Sequence, residues 1–128
     1  LKKSGAKEIL GTNLKSARKL KGIDSARRIV DKDGIFSADV VLVPLEDGDR
    51  TIALKKAKKK VITFDLNPLS RTAQTSDVTI VDNVTRAMKL LVKACKKKKA
   101  KPSYNNKEVL AESISEIKKN LQRRARLA

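Results

Sequence analysis

The sequence predicts an α/β fold, a Rossmann-like parallel sheet flanked by helices with an amphipathic helix at its C-terminal end. Two observations carry this. Three short runs, DVVLVPL (39–45), VITFD (61–65) and VTIVD (78–82), are rich in valine and isoleucine, as the strands of parallel sheets are. Between and after them lie segments whose apolar residues recur every three or four positions, the period of a helix lying on a sheet.

Taken in order, residues 14–30 read as a loop and a short helix capped near Asp24. The run 39–45 is a strand expected to be buried on both faces, and Pro44, which has no N–H to give a ladder, marks its end. EDGD (46–49) is turn chemistry whose last residue, Asp49, is the expected N-cap of a helix over 50–58. Ile52, Ala53, Leu54 and Ala57 make its apolar face. VITFD follows as the second strand, then a loop over 68–77 with one helical turn after Ser70, then VTIVD as the third. Asn83 caps a helix that sets Val84, Ala87, Met88, Leu91, Val92 and Cys95 on one face, which places Cys95 in the core. A basic linker, KKKKAKPSYNN, leads to a helix over 107–127 striped by Val109, Leu110, Ile114, Ile117 and Leu121. Such a helix packs on the sheet or on a partner subunit. The chain thus divides into a basic N-terminal segment (1–28), an α/β core (29–100), and a linker with the C-terminal helix (101–128).

A chain of 128 residues is one domain with room for a real core. It contains no histidine and one cysteine, so a Ser-His-Asp triad, a Cys-His pair and an HExxH zinc site are all excluded. A single cysteine allows no intrachain disulfide, in keeping with a reducing compartment. No run of eighteen apolar residues is present, and the first ten residues lack the apolar stretch of a secretory signal. The net charge of +17 is unevenly spread: +7 over residues 1–28, −1 over 29–85 and +11 over 86–128. The basic excess belongs to the flanks. Without interleaved aromatic residues, the lysine runs at 58–60 and 96–99 read as solvated faces, and nucleic acid is not the expected partner.

Neither GxxxxGK[ST] nor GxGxxG occurs, so a nucleotide would be held by other means. Polar groups gather just past the ends of two strands, where open α/β sheets bind ligands. The helix start at Asn83 offers unpaired backbone N–H groups to a phosphate. Arg71 can add a bidentate phosphate contact and Thr72 a hydroxyl. Asp65 and Asn67 can take ribose hydroxyls or a base edge, and Asp82 can hold Mg²⁺ through water. The plainer reading is that Asn83 caps, Asp65 ends a strand and Asn67-Pro68 makes a turn.

Three long motifs, LEDGDRT (45–51), DLNPLSRTAQ (65–74) and TIVDNV (79–84), closely resemble the archaeal 4-phosphopantoate–β-alanine ligases, or phosphopantothenate synthetases. The resemblance covers roughly residues 8–92, more loosely the C-terminal helix. It implies an ATP-dependent, Mg²⁺-assisted, homodimeric enzyme of the cytoplasm that joins 4-phosphopantoate to β-alanine through an acyl-adenylate, in coenzyme A biosynthesis. It also implies nucleotide contacts at Asp65, Leu66 and Asn67, at Arg71 and Thr72, and at Asn83 and Val84, while LEDGDRT faces the phosphopantoate. Members of that family are about twice this length, which makes this chain, beginning at Leu1, their C-terminal portion. Two rival readings are a nucleotide-binding module without catalysis and a basic nucleic-acid-binding domain.

Overall fold

The computed structural model describes residues 1–21, 26–97 and 103–127, the side chain of Arg27 excepted. The expected cap near Asp24 and the middle of the basic linker lie outside these residues, but residues 26–28, where the capped helix was expected, form a single 3-10 turn that leads directly into a strand. Two sheets are present among them. Strands β1 (Ala17–Lys19) and β2 (Ile29–Asp31) form an antiparallel ribbon, with Arg18 opposite Val30. Strands β3 (Val40–Val43), β4 (Lys60–Phe64) and β5 (Val78–Ile80) form a parallel sheet in the order β3-β4-β5. The ribbon joins residues on both sides of position 28, where the N-terminal segment was set apart from the core.

Helix α1 (Gly48–Lys56) connects β3 to β4, the short α2 (Arg71–Thr75) connects β4 to β5, and α3 (Val84–Cys95) follows β5. This parallel α/β arrangement is the predicted, Rossmann-like one. No helix among the described residues is long and apolar enough to cross a membrane. The cap of α1 differs from expectation. Asp47, not Asp49, accepts the Arg50 amide at 3.0 Å, because the helix begins two residues earlier, at Gly48. At its other end Lys58 takes a left-handed φ of 60°, and the Lys58 and Lys59 amides close back on the Lys55 and Leu54 carbonyls.

The core lies on one face of the parallel sheet. Register pairs Val41 with Val61 and Val43 with Thr63, so these side chains share the face that meets α1. Leu20, Val43, Leu54 and Val61 are its buried centre, with Val30, Ile35, Val41 and Ala57 packed around it. Burying Leu54 and Val61 contributes roughly 1.5–3 kcal/mol each. Threonines extend this face: Thr63 Oγ1 donates to the Val43 carbonyl at 2.8 Å and Thr79 Oγ1 to that of Ala73 at 2.9 Å. Thr51 is wholly buried too, but its hydroxyl is the one buried side-chain polar atom without a partner among the described residues.

Two expectations about burial fail. β3 is not buried on both faces: Val40 is 53% exposed and Leu42 38%. They share the second face of the sheet with Ile62, Val78 and Ile80, which are half-buried. α3, strongly amphipathic in sequence, buries only Ala87, and Met88, Val92 and Cys95 stand exposed. Cys95 is therefore a surface thiol, not core packing. Periodicity reports that a helix has an apolar side; it does not report that something covers it.

Helix α4 (Asn106–Ala125) is fixed at its start and exposed along most of its length. Asn105 caps it by accepting the Lys107 amide at 3.1 Å, and its side-chain Nδ2 donates to Glu108 at 2.8 Å. Asn106 accepts the Thr79 amide at 2.7 Å and donates to the Ala73 and Ser76 carbonyls. Tyr104 donates its hydroxyl to the Thr79 carbonyl at 3.1 Å. Leu110 completes the dock as a buried side chain. These bonds occupy the open edge of β5, which would otherwise present unpaired backbone groups.

Candidate functional site

The carboxyl ends of β3, β4 and β5 and the start of α3 surround a cleft of 280 Å³. Pro44, Leu45 and Glu46 form one wall, Phe64, Asp65 and Leu66 the floor, and Asp82, Asn83 and Val84 the other wall. Each wall follows directly from chain geometry, since parallel strands all deliver their following loops to the same edge.

The β4 loop is held by its own side chains. Asp65 is buried; one carboxylate oxygen accepts the Asn67 amide at 2.9 Å and the other the Ser70 hydroxyl. Ser70 in turn caps α2 by accepting the Ala73 amide at 2.9 Å. Asn67 accepts the Leu69 amide at 2.9 Å, making a tight Asx turn around Pro68. Asp65 thus fixes the loop that forms the floor.

At the opposite wall Asn83 accepts the Thr85 amide at 2.9 Å, and Val84 is the first residue of a twelve-residue helix. Its N–H is one of the donors that helix geometry leaves over. Asp82 receives the Arg86 guanidinium, with Nε at 2.9 Å, and the Asn83 amide at 2.7 Å. The Arg86 hydrogen bond, then that amide, holds the Asp82 carboxyl below the usual carboxylate range.

The structure therefore gathers Asp65, Leu66, Asp82, Asn83 and Val84 on one cleft and places the other three anticipated residues elsewhere. Asn67 sits in the adjoining turn, exposed. Arg71 is exposed and pairs with Asp49 at 3.0 Å. It lies over the start of α1 so closely that a Cβ at Gly48 would approach Arg71 Cβ at 3.0 Å. Thr72 is fully buried, and its hydroxyl accepts the Asp47 amide at 3.1 Å, which ties α2 to the α1 cap. Ser70 was read from the sequence only as the residue before a helical turn, and Glu46 only as part of the 46–49 turn and the 45–51 motif.

The wall that carries the α3 amide donors also carries Asp82, while Glu46 stands on the other wall and Asp65 in the floor. Among the described residues no three His, Cys, Asp or Glu side chains stand together closely enough to hold a metal alone. Glu46 and Asp82 both line the cleft, and the Asp82 carboxylate is already engaged by Arg86 and the Asn83 amide.

By fold the chain is an α/β domain of the Rossmann-like class, with a cleft at the carboxyl edge of its sheet. It belongs to the phosphopantothenate/pantothenate synthetase family, whose model matches residues 1–123. A Methanosarcina mazei protein named 4-phosphopantoate–β-alanine ligase is 47% identical over 131 residues, covering 95% of this chain and 51% of the relative. Proteins of the same name from Thermococcus kodakarensis and Thermococcus onnurineus are 50% and 56% identical over 103 and 80 residues. Those matches cover 80% and 62% of this chain, and 38% and 30% of the two relatives. The chain spans about half the length of the Methanosarcina relative or less of the others.

Proposed function

We propose that this chain supplies the ATP-binding part of a ligase that joins 4-phosphopantoate to β-alanine, giving 4'-phosphopantothenate, AMP and diphosphate in coenzyme A biosynthesis. The observation that carries this is the convergence of Asp65, Leu66, Asn83 and Val84 on one cleft in a member of this family. In this reading the Val84 amide and the α3 start receive the phosphates, while the Asp65 loop borders the ribose or base. Arg71 reaches the phosphates by exchanging Asp49, an exposed partner worth little to stability. Asn67 borders the nucleoside, and Thr72 acts from beneath by holding α2 against the α1 cap.

The reaction follows from positioning. A 4-phosphopantoate carboxylate oxygen bonds to the α-phosphorus, and the bond from that phosphorus to the bridging oxygen breaks to release diphosphate. The uncharged β-alanine nitrogen then attacks the acyl carbon, loses a proton, and displaces AMP. No protein nucleophile is needed, which suits a chain without histidine. The work lies in alignment and in neutralising charge on the phosphates. Mg²⁺, when bound, would supply further neutralisation, and Asp82 and Glu46, which line the cleft, would be the residues to hold its waters. In this reading the working enzyme is a homodimer of the cytoplasm, as the resemblance implies.

The test is nucleotide binding followed by turnover. ATP should raise the melting temperature, and diphosphate release should require both 4-phosphopantoate and ATP. Binding without turnover would leave a nucleotide-binding module. If ATP gives no thermal shift while RNA binds tightly and with a steep salt dependence, the ligase reading is wrong.

A further inference from the structure

At the amino edge of the parallel sheet, away from the cleft, the fold joins two stretches that the sequence keeps apart. The end of α1 and the loop after it bring Lys56, Lys58 and Lys59, while β1 and the residues after it bring Lys19 and Lys21. These five lysines line a groove of 430 Å³ together with the buried Leu20, the half-buried Ala57 and the exposed Phe36. No acidic side chain lines it among the described residues.

Lys59 has a structural task. Its ammonium donates to the Phe36 carbonyl at 2.7 Å, which ties the loop after α1 to the turn that ends at Phe36. Lys55 and Lys60, from the same stretch, both meet Asp77. Lys19, Lys21, Lys56 and Lys58 are exposed, and their ammonium groups have no partner among the described residues. The cations that hold the fold are thus neutralised, and four others are left facing one groove.

Local structure accounts for only one of the four. Lys56 lies in the last turn of α1, where a cation suits the helix dipole. Lys19 and Lys21 come from another element altogether. Lys58 takes the left-handed position that ends the helix, with φ 60°. Glycine or asparagine ordinarily stands there, because a larger side chain is strained. Glycine would suit this turn better, and lysine adds a cation to the groove instead.

One exposed lysine–phosphate pair is worth little in salt. Several around one small volume select a ligand with closely spaced negative charges over a monoanion. The volume is that of a small-molecule site. A single ring, Phe36, gives no series of platforms for successive bases, so a long nucleic acid fits less well.

We propose that this groove binds a small ligand carrying two or more linked phosphate groups, held by Lys19, Lys21, Lys56 and Lys58. It is separate from the nucleotide cleft. The cleft lies past the carboxyl ends of the strands and the groove before the amino end of β4, a five-residue strand roughly 15 Å long. The site stands whether or not the cleft holds ATP.

Amide NMR of the purified chain at fixed ionic strength tests it, with tripolyphosphate, inorganic phosphate, ATP and a short single-stranded RNA as probes. Tripolyphosphate should move the Leu20, Lys21, Phe36 and Lys58 amides saturably, and at least ~10-fold more tightly than inorganic phosphate. Binding in the cleft is read separately at Asn83 and Val84. Lys58→Gly removes a cation and relieves the left-handed position, so it should weaken the groove ~2–5-fold, the worth of one exposed pair, without lowering the melting temperature. Lys21→Ala should add a similar factor. Lys89→Ala, which removes an exposed charge on α3, should leave the groove's affinity unchanged. If ATP moves the groove amides at lower concentration than tripolyphosphate, the ligand carries a base against Phe36; if not, the phosphates alone are recognised. Either result supports the site. It is overturned if tripolyphosphate binds no more tightly than inorganic phosphate or moves no groove amide. Equal weakening by Lys89→Ala and Lys58→Gly would reduce the effect to net charge and also overturn it. RNA that binds more tightly than tripolyphosphate, with shifts running along α3 and α4, would replace the site by a general basic surface.

Discussion

Asp77 holds three parts of the fold at once, and its removal can be predicted in some detail. It lies just before β5, where one carboxylate oxygen accepts the Val61 amide at 2.8 Å and the Lys55 ammonium at 2.6 Å. The other oxygen meets Lys60 at 3.1 Å. Lys60 is well exposed, so that pair contributes between about 0 and 1 kcal/mol. Val61 is fully buried, and stripping its amide of an acceptor costs about 1–3 kcal/mol. The Lys55 pair is partly screened and adds about as much as one further exposed pair, so Asp77→Ala should cost roughly 2–4 kcal/mol. Asp77→Asn keeps an acceptor for Val61 and loses only the charge, so it should cost roughly 1 kcal/mol. Burial pushes the carboxyl up, but the bonds from Lys55, Val61 and Lys60 outweigh it, and the net shift is downward. The stabilisation is then fully present above the unfolded value near pH ~3.9 and is lost as pH falls through the lower folded value. Urea unfolding of the three proteins at neutral pH and below pH ~3 measures both effects. Equal destabilisation by Asp77→Ala and Asp77→Asn would show that the Val61 amide does not depend on this acceptor, and would refute the reasoning.

Other outcomes follow from the same geometry. Arg71→Ala should weaken ATP binding at least ~10-fold with little change in melting temperature, since its Asp49 partner is exposed; unchanged affinity removes Arg71 from the site. Asn83→Ala should cost ~1 kcal/mol as a lost cap, and melting and ATP titration together show whether affinity falls beyond that. Thr51→Val replaces an unpartnered buried hydroxyl by a methyl of the same shape. It should leave stability equal or raise it by about 1 kcal/mol in thermal melts, and a clear loss would mean that the hydroxyl has a partner.

The sheet was legible in the sequence because its strands are short, β-branched and bounded by turn residues. The helices after β3 and β5 were legible because period and cap coincide, as at Asn83. β1 and β2 were not. Three residues each, with Arg18 and Lys19 in one of them, give no alternation to read. In EDGD the expected cap was Asp49, and the backbone uses Asp47 instead. The site residues were hardest for a chemical reason. The groups that bind a nucleotide, carboxylate, amide and hydroxyl, are also those that hold loops. Asp65 and Thr72 show it, one bonded to Ser70 and the other to the Asp47 amide. Cys95 failed for another reason, since a helical stripe specifies a side and not a neighbour.

The half-open sheet also sets how this chain responds to heat. Unfolding heat capacity comes mainly from apolar surface newly exposed to water, about 12–15 cal/mol/K per residue in fully packed domains. Val40, Leu42 and the α3 face already meet water in the folded state, so they add little to that change. Calorimetry of this chain should return a value below that range and a correspondingly flat stability curve. Whatever covers the face will steepen the curve, so heat capacity becomes a direct measure of whether that side of the sheet is wet or dry.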